Sequence, residues 1–146
     1  MKALLQRVSR ASVHVADQQI AAIEHGLLIL LGVSQTDTEA SSARLAKRVA
    51  SYRLFADDDD KMNLDVSEVG GKVIVVSQFT LAADTRSGRR PSFSSAAAPA
   101  QAEPLYQHFC QQLRQQGVDV QQGQFGADMQ VALVNDGPVT FSLEVD

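Results

Sequence analysis

Apolar positions recur along the chain at two different periods, and the changes of period divide it into elements. Val13 and Val15 flank His14, and Ile20 and Ile23 follow Asp17-Gln18, so residues 2–24 predict a strand and a hairpin. His25-Gly26 leads into 27–33, an apolar run bounded by turn residues that reads as a buried strand. Thr36 and Glu39 fit a capping box, and Leu45, Val49 and Tyr52 follow at helical spacing, which predicts a helix over 38–52. Arg53-Leu54-Phe55 leaves it as a short strand. Val73-Ile74-Val75-Val76 is β-branched and apolar throughout, the pattern of a strand buried on both faces. Residues 82–99 have little periodicity and many small side chains, which predicts a long loop, and long loops in compact domains often carry function. Ala102, Leu105, Tyr106, Phe109 and Leu113 mark a second amphipathic helix, with Pro104 in its first turn and Gly117 as its stop. A strand at 118–120 follows, and Met129, Val131 and Leu133, then Val139, Phe141, Leu143 and Val145, alternate as two more strands around 135–138. The order β-β-β-α-β-β-α-β-β-β predicts a single α/β domain with mixed sheets and two helices on one side.

With 146 residues the chain is long enough for a core that needs no staples. Its one cysteine, Cys110, cannot form an internal disulfide and sits on the helical pattern as a core residue, which points to a reducing, cytoplasmic setting. The first residues are too polar for a signal peptide, and the apolar run at 26–33 is far too short for a membrane span, so no membrane partner is expected. A net charge of −4 argues against coating nucleic acid by bulk electrostatics, although Arg86, Arg89 and Arg90 form a local basic cluster.

The familiar catalytic devices are missing. There is no Gly-x-Ser-x-Gly elbow and no Gly-rich phosphate loop before a helix. His14, His25 and His108 are far apart and lack partners at metal-ligand spacing, so no metal site is expected. The acidic stretch Asp57-Asp58-Asp59-Asp60-Lys61 has Met62 where a calcium loop needs glycine, and reads as a solvated turn. Two segments remain. The strand 73–76 runs directly into Ser77-Gln78-Phe79-Thr80, where hydroxyls, an amide and backbone N–H groups could hold a carbonyl and stabilise an oxyanion. The second is Asn135-Asp136-Gly137-Pro138-Val139-Thr140, whose proline cannot donate to a sheet ladder. Read singly, each is an ordinary strand end or turn.

Together the two segments resemble the D-aminoacyl-tRNA deacylase family, whose Ser-Gln-Phe-Thr and Asn-x-Gly-Pro-Val-Thr patterns stand intact at Ser77–Thr80 and Asn135–Thr140. The likeness extends through Gln6-Arg7-Val8, Lys61-Met62-Asn63, Arg90-Pro91-Ser92-Phe93 and Ala127-Asp128-Met129. It implies a three-layer α/β/β fold and a homodimer with active sites at the subunit interface. It implies cofactor-free hydrolysis of the ester between a D-amino acid and the 3′-terminal adenosine of tRNA, a proofreading reaction. It also implies a cis Gly137–Pro138 bond that reaches into the partner's site and faces the substrate α-carbon, braced by Arg7. Phe125 and Met129 would take the adenine, and Arg86, Arg89 and Arg90 the tRNA phosphates.

A backbone wall placed where an L side chain must point rejects L-substrates by overlap and cannot reject glycine. Thr80 lacks an adjacent base that would activate it as a nucleophile. An aminoacyl ester is already activated, and a neighbouring ribose hydroxyl can assist water, so orientation and an oxyanion site from the Phe79 and Thr80 N–H groups suffice. Two other readings stand beside this one. The first is a deacylase for small L-amino acids, marked by a trans 137–138 bond. The second is an RNA-end binding module that protects the ester.

Overall fold

The computed structural model describes residues 1–146. The chain runs through β1 (Lys2–Val15), β2 (Gln18–Ile23), β3 (Gly26–Gly32), α1 (Glu39–Ala50), β4 (Phe55–Ala56), β5 (Met62–Leu64) and β6 (Lys72–Ser77). A single 3-10 turn, Phe79–Ala82, precedes α2 (Pro99–Gln115), β7 (Asp119–Gln122) and β8 (Gln130–Glu144).

The long strand β1 organises the sheet. Its first half pairs antiparallel with β3 and its second half with β2, while β8 runs antiparallel along its whole opposite edge. Beyond β3 lie β6 and β7, both parallel to their neighbours. The far half of β1 carries β2 and the start of β8 back over the sheet until the Ala22 N–H donates to the Gln121 side-chain carbonyl of β7 at 2.9 Å. The sheet thus curls nearly closed. Alternation along β3 and β6 fills both of its faces: Leu27, Ile29, Leu31, Val73 and Val75 enter the larger core, while Leu28, Ile74 and Val76 enter a smaller one against the returning strands. All the buried apolar side chains of α1 and α2 belong to the larger core. Both helices therefore cover one side, giving the helix, sheet and returning-sheet layers expected of an α/β/β fold.

Several boundaries differ from the sequence reading. The capping box of α1 is Thr38 with Ser41, not Thr36 with Glu39. Asp37 explains the shift, because its buried carboxylate binds the Met1 α-ammonium at 2.6 Å and the Ser34 N–H at 2.7 Å, which fixes residues 34–37 as a turn. The helix α2 starts at Pro99, so Pro99 takes the first-turn role and Pro104 lies inside the helix. The acidic turn joins β4 to β5, a strand too short to show as a pattern. There the Asp57 carboxylate accepts the Lys61 and Asp59 N–H groups, and the first of these bonds leads in holding it below the usual carboxylate range. Cys110 is a core residue as read, and burial pushes its thiol up to about 12.

The Met1–Asp37 pair has essentially no solvent access on either side. Asp37→Ala leaves the ammonium without a counter-charge and is expected to cost about 3–5 kcal/mol of stability. Urea unfolding reads this directly, and a loss under about 1 kcal/mol would contradict it.

Candidate active site

The strands β3 and β6 lie parallel and end together, with Leu31 beside Ser77. Their last shared bond runs from the Gln78 N–H to the Leu31 carbonyl at 2.8 Å. The chain then folds over the strand ends as the turn 79–82, and Gly32 makes this possible. A Cβ on Gly32 would lie 2.8 Å from the Leu81 Cβ and 3.3 Å from the Gln78 carbonyl oxygen. As the first residues of that turn, Phe79 and Thr80 have backbone N–H groups that find no acceptor within the chain. These are two consecutive donors at a strand end, free to receive a ligand oxygen. The Thr80 hydroxyl accepts from the Gln78 side-chain amide at 2.6 Å. Its partner is an amide, so nothing in contact can activate it as a nucleophile.

Beside this turn lies a cleft of about 480 Å3, bordered by Ser77, Gln78 and Phe79, the start of α2, and Phe125-Gly126. Tyr106 of α2 forms its floor, donating its hydroxyl to the Val75 carbonyl at 2.7 Å and meeting Phe125 with ring centroids 6.0 Å apart. Burial pushes the Tyr106 phenol far above its ordinary range, so it stays neutral. No Asp, Glu, His, Lys or Arg lines the cleft. It offers apolar surface, an amide, hydroxyls and free N–H groups. It supplies no protein general base.

The second motif is built differently. The two strands expected around 135–138 are one continuous strand, β8, because residues 136–139 bulge out opposite Arg7 alone while pairing resumes on both sides. Asn135 closes the bulge, accepting the Val139 N–H at 3.0 Å and donating to the Thr140 hydroxyl at 2.8 Å. Arg7 clamps it from the neighbouring strand, donating to the Asp136 carbonyl at 3.1 Å and to the Leu54 carbonyl at 2.9 Å. Gly137 has φ +136, and a Cβ there would meet the Val139 Cγ2 at 2.7 Å. The Gly137–Pro138 bond is cis, not the trans form set out for the L-amino-acid reading, and both residues are exposed.

Comparisons with known proteins bear on this architecture. The family model described as D-Tyr-tRNA(Tyr) deacylase matches residues 4–144. A protein of Idiomarina loihiensis named D-aminoacyl-tRNA deacylase is 64% identical over 145 residues, covering 99% of this chain and 100% of its own length. The chain belongs to this deacylase family. A D-aminoacyl-tRNA deacylase of Pectobacterium atrosepticum is 61% identical over 144 residues, covering 99% of both chains. A solved structure titled c-Myc DNA Unwinding Element Binding Protein superposes with a TM-score of 0.94 at 40% identity, over 100% of this chain and 99% of that one.

Within this deacylase-family chain the two motifs do not meet. The bulge faces Arg7, which pairs with Leu27 and, through it, is level with Val73, whereas the cleft begins at Ser77. Four residues along the strands and three strand spacings across them separate the two by about 20 Å. Phe125 lines the cleft, but Met129 does not; its sulfur sits under Gly123 and accepts the Gln124 N–H at 3.4 Å. Arg86 is tied to Asp84 by two side-chain bonds of 2.7 and 2.9 Å, which hold that carboxyl down to about 2. Arg89 and Arg90 are exposed and form no ion pair. Sequence reasoning missed Tyr106, whose helical spacing is that of any core residue, and Gly32, which carries no signal beyond ending a strand.

Proposed function

We propose that this chain hydrolyses the ester linking a D-amino acid, and glycine, to the 3′-terminal adenosine of tRNA, working in the cytoplasm as a homodimer in which each subunit's Gly137–Pro138 bulge completes the other's cleft. Family membership supports the reaction. The observation that carries the finer reading is the separation within one chain of a cleft holding oxyanion donors from a rigidly clamped, exposed backbone bulge. A two-fold dimer brings such patches together reciprocally. The outer edge of β8 is unpaired along the whole strand, and Val134 on it is exposed, a surface that a second copy would cover.

In this account Ser77 and Gln78 position the substrate, and the Phe79 and Thr80 N–H groups receive the negative charge that develops on the ester oxygen when water attacks. The neighbouring ribose hydroxyl orients that water. Phe125 supplies aromatic surface for the adenosine, and the buried Tyr106 backs it. The Gly137 and Pro138 carbonyls of the partner face the substrate α-carbon, where an L side chain would collide with them and a D side chain points away. Asn135, Val139, Thr140 and Arg7 hold those carbonyls in place. Thr80→Ala is expected to change the single-turnover rate less than about tenfold. A loss of several orders of magnitude would make Thr80 the nucleophile.

Subunit mixing tests the shared site. Gly32→Ala damages the cleft and Gly137→Ala the bulge, so each homodimer should be nearly inactive. Unfolding and refolding the two together should recover about a quarter of wild-type activity, because one site of each mixed dimer is intact. No recovery would mean that the cleft and bulge of one chain serve each other.

A further inference from the structure

We propose that Phe93 and Phe79, with Arg89 and Arg90 on the loop that leads into Phe93, form a second nucleotide subsite that stacks the base immediately 5′ of the terminal adenosine. This deepens the proposed function and rests on it. Among the large apolar side chains left exposed, only Phe79 and Phe93 are aromatic, at 58% and 41% exposure. The two touch, with ring centroids 5.0 Å apart and planes 57° apart, and both border the cleft. A lone exposed ring needs no explanation. Two rings braced against each other at the rim of a substrate cleft keep apolar surface in water in a fixed position.

The backbone around Phe93 is equally fixed. Asp84 and Ser92 exchange backbone hydrogen bonds of 2.8 and 3.1 Å, closing the loop between them, and the Ala96 N–H donates to the Phe93 carbonyl at 3.1 Å. That loop carries all three arginines of the basic cluster. With Arg86 neutralised by Asp84, the charges it presents are those of Arg89 and Arg90. The cleft itself has no cation, so it can hold an uncharged nucleoside but cannot neutralise a phosphodiester. The phosphate linking the terminal adenosine to the next nucleotide must lie outside, and the loop that closes at Ser92, next to the rim residue Phe93, carries the unpaired cations Arg89 and Arg90. Exposed rings joined by a short stretch of chain to free cations are the chemistry that holds single-stranded nucleic acid without reading its sequence.

The test compares three substrates: D-aminoacyl-adenosine, the same ester extended by one 5′ cytidine, and D-aminoacyl-tRNA. In the unsubstituted protein the added cytidine should raise kcat/KM about tenfold, mainly through KM. Phe93→Ala and Phe93→Leu should abolish that gain and Phe93→Tyr should keep it, because stacking needs a ring and not merely apolar bulk. Equal loss on all three substrates with Phe93→Ala would overturn the proposal, as would retention of the gain by Phe93→Leu. Dissociation of the subunits by Phe93→Ala in sedimentation would also overturn it, making the ring pair an intersubunit contact. Absence of any turnover of D-aminoacyl-tRNA by the unsubstituted protein would overturn the deacylase reading and this one together, and is a separate result.

Discussion

Replacing Gly137 by alanine is expected to lower kcat/KM for D-aminoacyl-tRNA about a hundredfold and to collapse the preference for D- over L-substrate, with little change in overall fold. The residue holds φ +136, a region that L side chains rarely adopt, and the new Cβ would lie 2.7 Å from the Val139 Cγ2 and 3.0 Å from the Val139 nitrogen. Neither neighbour can yield cheaply. Val139 is buried in the larger core, and its N–H is held by Asn135. The bulge itself must therefore move, taking with it the carbonyls to which the proposed function assigns the selection of the substrate's hand. Displacing a positioning group by about 1 Å costs about a hundredfold in rate. Initial rates on D- and L-aminoacyl-tRNA, together with far-ultraviolet circular dichroism, measure both halves of the prediction. A folded variant that keeps full rate and full selectivity would remove Gly137 from the account.

A loss of similar size, about a hundredfold, is expected of Gly32→Ala, for a different reason. No unusual φ is involved at Gly32. What matters is the close crossing of the 79–82 turn, since the added Cβ would stand 2.8 Å from the Leu81 Cβ. The turn has to lift, and the Phe79 and Thr80 N–H groups lift with it, away from where the proposed function puts the ester oxygen. The D/L preference should survive, because the bulge on β8 is untouched. The two variants thus separate rate from chirality. If Gly32→Ala lost selectivity as well, the cleft and not the bulge would be reading the substrate's hand.

The strands of the inner sheet were legible in the sequence because burial on both faces removes polar residues altogether, as in Val73–Val76. Both helices were legible through their apolar spacing, but their starts were not. Thr36 with Glu39 matches the sequence pattern of a capping box better than Thr38 with Ser41, the pair that forms it. What decides between them is the contact of Asp37 with Met1, a long-range ion pair that no local pattern encodes. By its sequence the segment around Gly137-Pro138 is a break between strands, since both residues disfavour a ladder. The structure keeps the ladder on either side and expels 136–139 as a bulge, which Arg7 makes possible by bridging the Asp136 and Leu54 carbonyls. The two short motifs carried the candidate site, yet their separation along the sheet depends on strand register and could not be read from either motif. Phe93 was visible only as part of a family-like stretch, and its pairing with Phe79 follows from how the arginine loop closes.

The most direct test of the central claim is a comparison of initial rates on tRNA charged with a D-amino acid, the matching L-amino acid, or glycine. A gate made of backbone carbonyls predicts rapid cleavage of the D-aminoacyl and glycyl esters and negligible cleavage of the L-aminoacyl ester. Rapid loss of the L-amino acid, or failure to release glycine, would contradict it.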